Sequence, residues 1–288
     1  LTPLEINTTD DSKIQEAVEL AKSRDQVILV VGENAYQTGE GRSQVDISLP
    51  GLQKQLVESV YKANPNTIMV LMNGRPMDIS WSAEHIPAIV EGWHLGSQSG
   101  NAIADVLLGN YNPSGKLPVS FPRSSGQEPL YYNYKNTGRP STGGGNVTYS
   151  HYNDVDNSPL FHFGHGLSYT SFEYSDISMS KSSFAEAGEI QAQVEVTNTG
   201  KREGEEVVQL YIRDMVASLT RPVKELKGFK KIELEPGETK TVDFTITEKE
   251  IEFYTARRKW EAEPGAFKLM IGGSSNDLKT TSFNYVAD

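Results

Sequence analysis

The sequence predicts two folds in succession, a doubly wound α/β layer with a mostly parallel sheet and then an all-β immunoglobulin-like sandwich. In the first half, continuous apolar runs alternate with segments whose apolar residues recur at helical spacing. From Ser171 onward, apolar and polar residues alternate with a period of two, between turns that contain Gly and Pro. A stretch rich in Pro, Gly, Ser, Asn and Tyr separates the two patterns. The predicted domains are therefore 1–122 and 171–288, with a linker or loop region at 123–170.

The elements of the first half follow in the order α-β-α-β-β-α. Asp10 and Asp11 can cap a first helix, in which Ile14, Ala17 and Ala21 share one face. The predicted buried strands are 26–31, 67–72 and 87–91, and further helices are predicted at about 52–63 and 101–108, with room for a short helix near 81. Continuous apolar strands of this kind are covered on both faces, as in a parallel sheet.

The second half is predicted to hold about seven short strands. Residues 189–196 and 207–212 show the alternation most clearly. Turn signals stand at 198–200, 235–237 and 263–265, and this spacing is typical of a sandwich. In the region between the domains, the triple glycine 143–145 is predicted to be a flexible point.

Composition narrows the classes of function. The 288 residues carry 27 Lys and Arg against 38 Asp and Glu, a formal net charge of −11, so a nucleic acid is not an expected partner. The absence of cysteine excludes disulfides, thiolate metal sites and a cysteine nucleophile. No apolar run approaches the roughly 20 residues of a membrane span, so no membrane partner is expected. The start at Leu1 is unlike a natural N-terminus, and we expect a piece of a longer chain.

A candidate site follows the first strand. Ligands of open α/β sheets bind at the carboxyl ends of the strands, and the loop after 26–31 carries Glu33, Glu40, Arg42 and Asp46. Sugar cleavage needs a carboxylic acid that protonates the departing oxygen and a second carboxylate at the anomeric carbon. A carboxylate on this loop could be that acid, although loop carboxylates are more often only solvated. No histidine has partners at metal-ligand spacing, so neither a metal nor a cofactor is expected.

Several longer motifs lie along the chain, at 31–53, 70–76, 100–118, 163–170, 196–200 and 221–229. In their content and order they resemble one known family, glycoside hydrolase family 3, and within it the bacterial periplasmic β-glucosidase type. The resemblance covers nearly the whole chain. The last two motifs are similar to the family's fibronectin type III-like domain, and they make the predicted sandwich one of that kind.

The resemblance implies a retaining exo-acting β-glycosidase that acts on β-linked oligosaccharides or aryl glycosides in the periplasm or outside the cell. The position that matches the family's acid/base is Glu40, which must begin protonated. The nucleophile of the family is an Asp on an N-terminal (β/α)8 barrel, which is missing here. Further family strands before Val27 are missing too, so the α/β layer is expected to be incomplete and the chain alone inactive.

Each candidate residue also has a simpler interpretation. Glu40 could be a solvated loop carboxylate, and Asp46 could satisfy backbone donors before the next helix. Arg42 and Glu33 are candidate substrate-binding residues, but Arg42 could orient Glu40 or be an ordinary surface arginine, and Glu33 more often would hold the loop. At the level of the protein, the alternatives are a non-catalytic carbohydrate-binding or scaffold module, and a nucleotide-binding domain with an adhesive sandwich. The second is weakened by the missing phosphate loop.

Overall fold

The computed structural model describes residues 5–140 and 148–287, which form two compact units. Within the described residues, the first unit is 5–110, 121–130 and 153–160. The second is 111–120, 131–140, 148–152 and 161–287. The middle of the chain thus contributes to both units. The triple glycine 143–145 lies outside the described residues.

The first unit is the predicted α/β layer. Its three strands pair in the order β1-β2-β3, and both pairs are parallel. The elements are α1 (Ser12–Lys22), β1 (Val27–Gly32), α2 (Gln53–Ala63), β2 (Thr67–Met72), α3 (Ser80–His85), β3 (Ala88–Glu91) and α4 (Ser99–Leu108). These bounds agree closely with the apolar runs of the sequence, and the predicted helix near residue 81 is present as α3.

The two longest helices of this unit pack against each other over one face of the sheet. Ile14 and Ala21 of α1 and Leu56 and Val60 of α2 form their buried core. The inward-facing Val27 and Leu29 of β1 pack against that core, together with other half-buried apolar residues of both helices. The helical spacing seen in the sequence therefore marks the side of each helix that faces the sheet.

The other face of β1 is uncovered in the described part of the chain. Ile28 and Val30 are 51% and 58% exposed, although both belong to a continuous apolar run. Helix α4 has no buried residue, and its Leu108 is 76% exposed. An apolar strand face exposed to this extent is unusual for a complete domain and is typical of a surface that another segment covers.

The end of β1 depends on a glycine that approaches the neighbouring strand. Gly32 lies opposite Met72 in the parallel register and has a φ of +135°. A Cβ at this position would lie 1.9 Å from the carbonyl oxygen of Met72. The Gln53 side chain, at the start of α2, accepts from the Gly32 N–H and donates to its carbonyl, at 2.7 and 2.8 Å. A side chain at position 32 is therefore excluded by both conformation and space.

We expect Gly32→Ala to destabilise the first unit by about 2–6 kcal/mol, since a strained φ costs roughly 1–3 kcal/mol and the close contact a similar amount. Gly100→Ala is the matched control, because a Cβ there meets no atom within 4 Å. In helix α4 this change should leave stability unchanged or raise it by up to about 1 kcal/mol. Urea denaturation of both variants measures the difference, and equal midpoints would contradict the proposed clash.

The second unit is the predicted β-sandwich. A four-stranded sheet has the order β10-β7-β4 with β5 also paired to β7, and a five-stranded sheet has the order β6-β14-β13-β8-β9. The strands are β4 (Phe172–Tyr174), β5 (Ser178–Met179), β6 (Ser183–Phe184), β7 (Ile190–Asn198), β8 (Gly204–Asp214), β9 (Glu225–Leu234), β10 (Thr239–Ile246), β13 (Gly265–Gly272) and β14 (Leu278–Tyr285). A one-turn helix, α5 (Glu248–Ile251), and a small hairpin of β11 (Phe253–Tyr254) and β12 (Trp260–Glu261) lie between β10 and β13. The predicted fold class is thus confirmed for both halves of the chain.

One apolar core joins the two sheets. Alternate residues of β7, from Ile190 to Val196, face alternate residues of β8, from Val208 to Ile212. At one end of this core Asn198 is fully buried and makes four hydrogen bonds through its side chain. Its Nδ2 donates to the carbonyls of Arg202 and Leu234, and its Oδ1 accepts from the Thr170 hydroxyl and the Gly200 N–H. The turn predicted at 198–200 is therefore fixed by its own first residue.

Residues from the middle of the chain belong to the second unit, among them Lys116 from the end of the predicted first domain and Tyr132 and Phe163 from the predicted linker. Lys116 Nζ lies 3.0 Å from a carboxylate oxygen of Glu206, which is buried, and Tyr174 donates to the other oxygen of that carboxylate. The Tyr132 ring stacks on Phe163 at a centroid distance of 4.1 Å. Among the described residues, the stretch that follows the α/β elements is thus divided between the units, with 121–130 and 153–160 in the first and the rest in the second. No helix among the described residues is both long enough and apolar enough to span a membrane.

Candidate active site

The carboxyl ends of the three parallel strands form the candidate site in the first unit. β1 ends at Gly32, β2 at Met72 and β3 at Glu91, and a polar loop follows each of them. Parallel pairing brings these ends to one edge of the sheet, where ligands of such sheets bind. A Cβ added at Gly74 would lie 1.9 Å from the hydroxyl oxygen of Thr38 and 2.7 Å from His94 Nε2. The loops after all three strands therefore meet at Gly74.

Glu33 lies directly after β1, and its side chain is only 3% exposed. Its Oε1 is 2.9 Å from Arg75 Nε, and its Oε2 accepts from the Gly74 N–H at 3.3 Å. The contact with Nε is an ion pair rather than an aligned hydrogen bond, because the Nε–H has no partner in hydrogen-bond geometry. A carboxylate buried in this way holds the loop after β2 against the end of β1. The structure thus favours the simpler interpretation of Glu33, and its contact with substrate stays a prediction.

Glu40 lies at the outer end of the loop, with its side chain exposed. The Arg42 N–H donates to the Gly39 carbonyl at 3.1 Å and closes a turn with Glu40 and Gly41 at its centre. Gly41 has a φ of +71°, the positive value that the third residue of a type II turn requires. Gly39, with a φ of +124°, precedes Glu40. The carboxylate is therefore presented away from the chain on a turn that two glycines make possible.

Arg42 and Asp46 lie further along the same loop, and both are exposed. The Arg42 carbonyl accepts from the Arg75 guanidinium, while its own side chain extends from the surface. Asp46 accepts from the Ser48 N–H at 2.9 Å, and this hydrogen bond lowers the pKa of its carboxyl. Asp46 therefore satisfies a backbone donor ahead of α2, and the binding role of Arg42 stays a prediction.

A second carboxyl group, that of the half-buried Glu91, lies at the end of β3. Burial raises the pKa of Glu91 to about 7, against hydrogen bonds from the Trp93 N–H and the Asn73 side chain that lower it. Trp93 follows with a φ of +42°, and its ring packs on Phe121 at 5.8 Å. Trp93 thus packs within its own unit. Glu91 fixes the strand end through the Trp93 N–H, at 3.0 Å.

Sequence analysis missed two residues that build this site, since Gln53 holds the end of β1 and Glu91 holds the end of β3. Arg75 contacts the loop that carries Glu40. Its segment, 73–76, follows a buried strand, and from the sequence it could line the cleft or form a plain turn equally well. Among the described residues, no group of three or more His, Cys, Asp or Glu side chains could hold a metal ion.

Comparison with known proteins identifies the family. Residues 3–169 match the family model described as Glycosyl hydrolase family 3 C-terminal domain, and residues 206–275 match the one described as Fibronectin type III-like domain. The chain belongs to glycosyl hydrolase family 3. This result confirms the resemblance on which the assignment of Glu40 depends, while the role of Glu40 itself stays a prediction.

Three relatives of family 3 show how much of a whole protein this chain represents. It is 48% identical to the periplasmic beta-glucosidase of Salmonella typhimurium, over 94% of this chain and 35% of that protein. It is 45% identical to the beta-xylosidase of Formosa agariphila, over 96% of this chain and 38% of that protein. The crystal structure of beta-glucosidase from Listeria innocua in complex with glucose matches with a TM-score of 0.93 at 36% identity, over 98% of this chain and 39% of that chain. The chain thus spans well under half the length of the relatives it matches.

Glu91 makes the stability of this family 3 unit depend on pH. The pKa of Glu91 is about 7 in the folded state against 4.5 in the absence of the fold, so the folded state holds the proton more tightly. The stabilisation that comes from this tighter proton binding is fully present below about pH 4.5. It is lost as the pH rises to about 7, and the free energy of unfolding then falls by at most about 1.4 kcal/mol per pH unit.

We therefore expect the free energy of unfolding of the parent chain to fall between about pH 4.5 and 7. In Glu91→Gln this fall should be absent, because the side chain no longer titrates. Chemical denaturation at a series of pH values measures this as the difference between the two curves. Glu84→Gln, a change at an exposed carboxylate in α3, is the control and should leave the curve of the parent chain unchanged. A difference between parent and Glu91→Gln that stays constant with pH would contradict the proposal.

Proposed function

We propose that this chain supplies the general acid/base, Glu40, of a retaining exo-acting β-glycosidase of the β-glucosidase type. The observation that carries the proposal is the position of Glu40 in a family 3 domain. Its carboxylate is exposed on a turn beyond the carboxyl end of β1, at the edge of the sheet where ligands bind. Neighbouring carboxylates differ from it, because Glu33 and Glu91 are engaged with the protein's own groups.

The proposed reaction has two steps. In the first, the Glu40 carboxylic acid donates its proton to the glycosidic oxygen of the leaving group, while an Asp carboxylate attacks the anomeric carbon and forms a glycosyl ester. In the second, the Glu40 carboxylate takes a proton from the water that hydrolyses this ester. Two displacements at one carbon return the original configuration, so the product is the β-sugar.

The nucleophilic Asp is proposed to come from an N-terminal (β/α)8 barrel of the same polypeptide, which would be the partner of this chain. Two findings support a partner. The relatives are more than twice as long as this chain, and apolar side chains of β1 and α4, Ile28, Val30 and Leu108 among them, are exposed. Covering these side chains would stabilise the assembly by roughly 25 cal/mol for each Å² of apolar surface removed from water.

The proposed substrates are β-linked oligosaccharides and aryl β-glycosides, cleaved at the non-reducing end. The names of the relatives include both beta-glucosidase and beta-xylosidase, so glucosides and xylosides are the first two substrates to compare. The proposed location is the periplasm or the outside of the cell, on the strength of the periplasmic relative.

In the complete polypeptide, we expect Glu40→Ala to lower kcat on an aryl β-glucoside by about 10²–10⁴-fold, the usual contribution of a general acid/base. Added azide should restore much of the turnover with an activated leaving group, because azide attacks the glycosyl ester without needing a base. The product would then be a β-glycosyl azide, which chromatography separates from the free sugar.

Asp46→Asn is the matched control, since Asp46 is an exposed carboxylate of the same loop that accepts from a backbone N–H. This variant should keep most of the turnover and gain nothing from azide. An unimpaired Glu40→Ala variant, or one that azide does not rescue with any activated substrate, would overturn the assignment of Glu40.

The isolated 288-residue chain is expected to show no turnover of aryl β-glucosides or β-xylosides. Retention requires two carboxyl groups about 5–5.5 Å apart, and the partner of Glu40 is proposed to lie on the barrel. A continuous assay of the purified chain measures this, with Glu40→Gln as the control for contaminating activity. Turnover that disappears in Glu40→Gln would show that the chain needs no second part.

A further inference from the structure

We propose that Arg75 is a positioning residue for Glu40, which clamps the main chain on both sides of this acid/base. The inference rests on the proposed function of Glu40 and extends it to the residue that fixes its main chain. Arg75 belongs to the segment after β2, and the turn belongs to the loop after β1. The Arg75 side chain, which follows β2, would thereby determine where the Glu40 carboxylate, on the loop after β1, lies.

The guanidinium group contacts the main chain before and after Glu40 with the same nitrogen. Arg75 Nη2 donates to the Gln37 carbonyl at 2.5 Å and to the Arg42 carbonyl at 2.7 Å. These two carbonyls bracket the segment 38–41, which contains Glu40. Two charge-assisted hydrogen bonds from one planar group fix the distance between these two carbonyl groups. They also keep both carbonyl groups close to the plane of the guanidinium.

The turn needs such a clamp because its own residues restrict it weakly. Glu40 lies between Gly39 and Gly41, both with positive φ, and a Cβ at either glycine would meet no atom within 4 Å. Glycine has the widest choice of backbone conformations, so a free Gly-Glu-Gly segment would sample many directions for the carboxylate. Proton transfer requires the acid within hydrogen-bond reach of the leaving oxygen, and a clamp at residues 37 and 42 reduces that freedom.

Arg75 is itself held in place from two sides. The buried Asn73 side chain donates to the Arg75 carbonyl at 2.7 Å, which fixes the main chain. Glu33 faces Arg75 Nε at 2.9 Å, and this ion pair holds the guanidinium group beside the end of β1. Glu33 in turn accepts from the Gly74 N–H. The clamp is therefore attached to the ends of β1 and β2, the most regular part of the unit.

The hydrogen bonds from Arg75 to the loop are not needed to neutralise the buried charge of Glu33. The charge of Glu33 is met at Nε, whereas both hydrogen bonds to the loop come from Nη2. A lysine could satisfy the charge of Glu33, but it has no planar fork with which to reach two carbonyls in fixed directions as well. The guanidinium contacts beyond the ion pair are thus directed at the turn of Glu40.

A displaced acid has a kinetic signature that general damage lacks. The first step of the proposed reaction needs proton donation when the leaving group is a poor one, such as the alcohol of a disaccharide. It needs none when the leaving group is 2,4-dinitrophenolate, which departs without a proton. A misplaced Glu40 therefore lowers kcat/KM steeply for a disaccharide and little for the dinitrophenyl glycoside, whereas loss of binding or folding lowers both equally.

The test is Arg75→Lys in the complete polypeptide, with kcat/KM measured on cellobiose and on 2,4-dinitrophenyl β-glucoside. We expect a loss of about 10²-fold on the disaccharide, the usual effect of a misplacement near 1 Å, and a far smaller loss on the dinitrophenyl substrate. Because hydrolysis of the ester needs the base, kcat on the dinitrophenyl substrate should rise with added azide, as in Glu40→Gln.

Two further variants separate positioning from structural damage. Glu33→Gln keeps the size of the side chain and an acceptor for Gly74 but removes the charge opposite Arg75, so it should show the same leaving-group dependence in weaker form. Arg123→Lys is the matched control, because Arg123 bonds the Ser158 carbonyl and hydroxyl in the same unit without contacting the loop. Arg123→Lys should lower both values of kcat/KM alike or not at all.

The outcomes distinguish this inference from the proposed function. If Glu40→Gln shows no leaving-group dependence, the acid/base assignment fails, and with it the present inference. Suppose instead that Glu40→Gln shows the leaving-group dependence. If Arg75→Lys then lowers kcat/KM equally on both substrates, or does not lower it, Arg75 is not a positioning residue. If Arg75→Lys does not fold, Glu33→Gln decides by the same ratio, and an unchanged ratio there overturns the clamp.

Discussion

The parallel register of β1 with β2 is the constraint on which the candidate site depends. It sets Gly32 opposite Met72, so the two strands end side by side and their loops begin within reach of one another. A main-chain approach this close leaves no space for a side chain at position 32. Because Glu33 directly follows β1 and Arg75 lies three residues after the end of β2, the same register that pairs the backbones also brings the two charges together.

Burial gives the charged groups at this edge different tasks. Glu33 and Arg75 are largely withdrawn from water, and such groups persist in a folded protein when they are paired and hydrogen-bonded. Glu91 has hydrogen-bond donors but no cation among the causes that shift its pKa, and burial raises that pKa. Glu40 and Asp46 remain exposed on the loop. The edge thus combines a fixed inner layer of polar contacts with an outer loop whose carboxylates can meet a ligand.

The sequence was sufficient to predict the regular elements of the first half, where apolar runs such as 67–72 have the length of the observed strand. In the second half, the alternating segment at 189–196 overlaps β7 in all but its first residue, but the described residues form eleven strands where about seven were predicted. The two-residue strands β5 and β6 escaped notice, since their pairing depends on neighbours far away in the sequence. The composition of the sequence predicts domains that follow one another along the chain. The contacts in the structure instead interleave the two units, with 111–120 in the second and 121–130 in the first.

The candidate site was predictable only in part, for a physical reason. Glu40 could be found because a family motif surrounds it, and the local turn follows from its two glycines. The contacts of Arg75 could not be found, since they join carbonyl groups at positions 37 and 42 to a side chain more than thirty residues away. Backbone carbonyls leave no signature in a sequence, and any residue type would offer the same acceptor. A sequence therefore indicates the reactive group more readily than the support of that group.

A clamp on the main chain suits the role proposed for Glu40 better than a clamp on its side chain. A hydrogen bond to the carboxylate would fix its position, but it would also favour the ionised form and occupy an oxygen that must reach the leaving group. By holding the carbonyls at residues 37 and 42, Arg75 limits the path of the turn and leaves both carboxylate oxygens uncommitted. An acid that serves a substrate bound by another part of the polypeptide needs this combination. Its main chain is held in place, while its carboxylate oxygens stay free to contact the substrate.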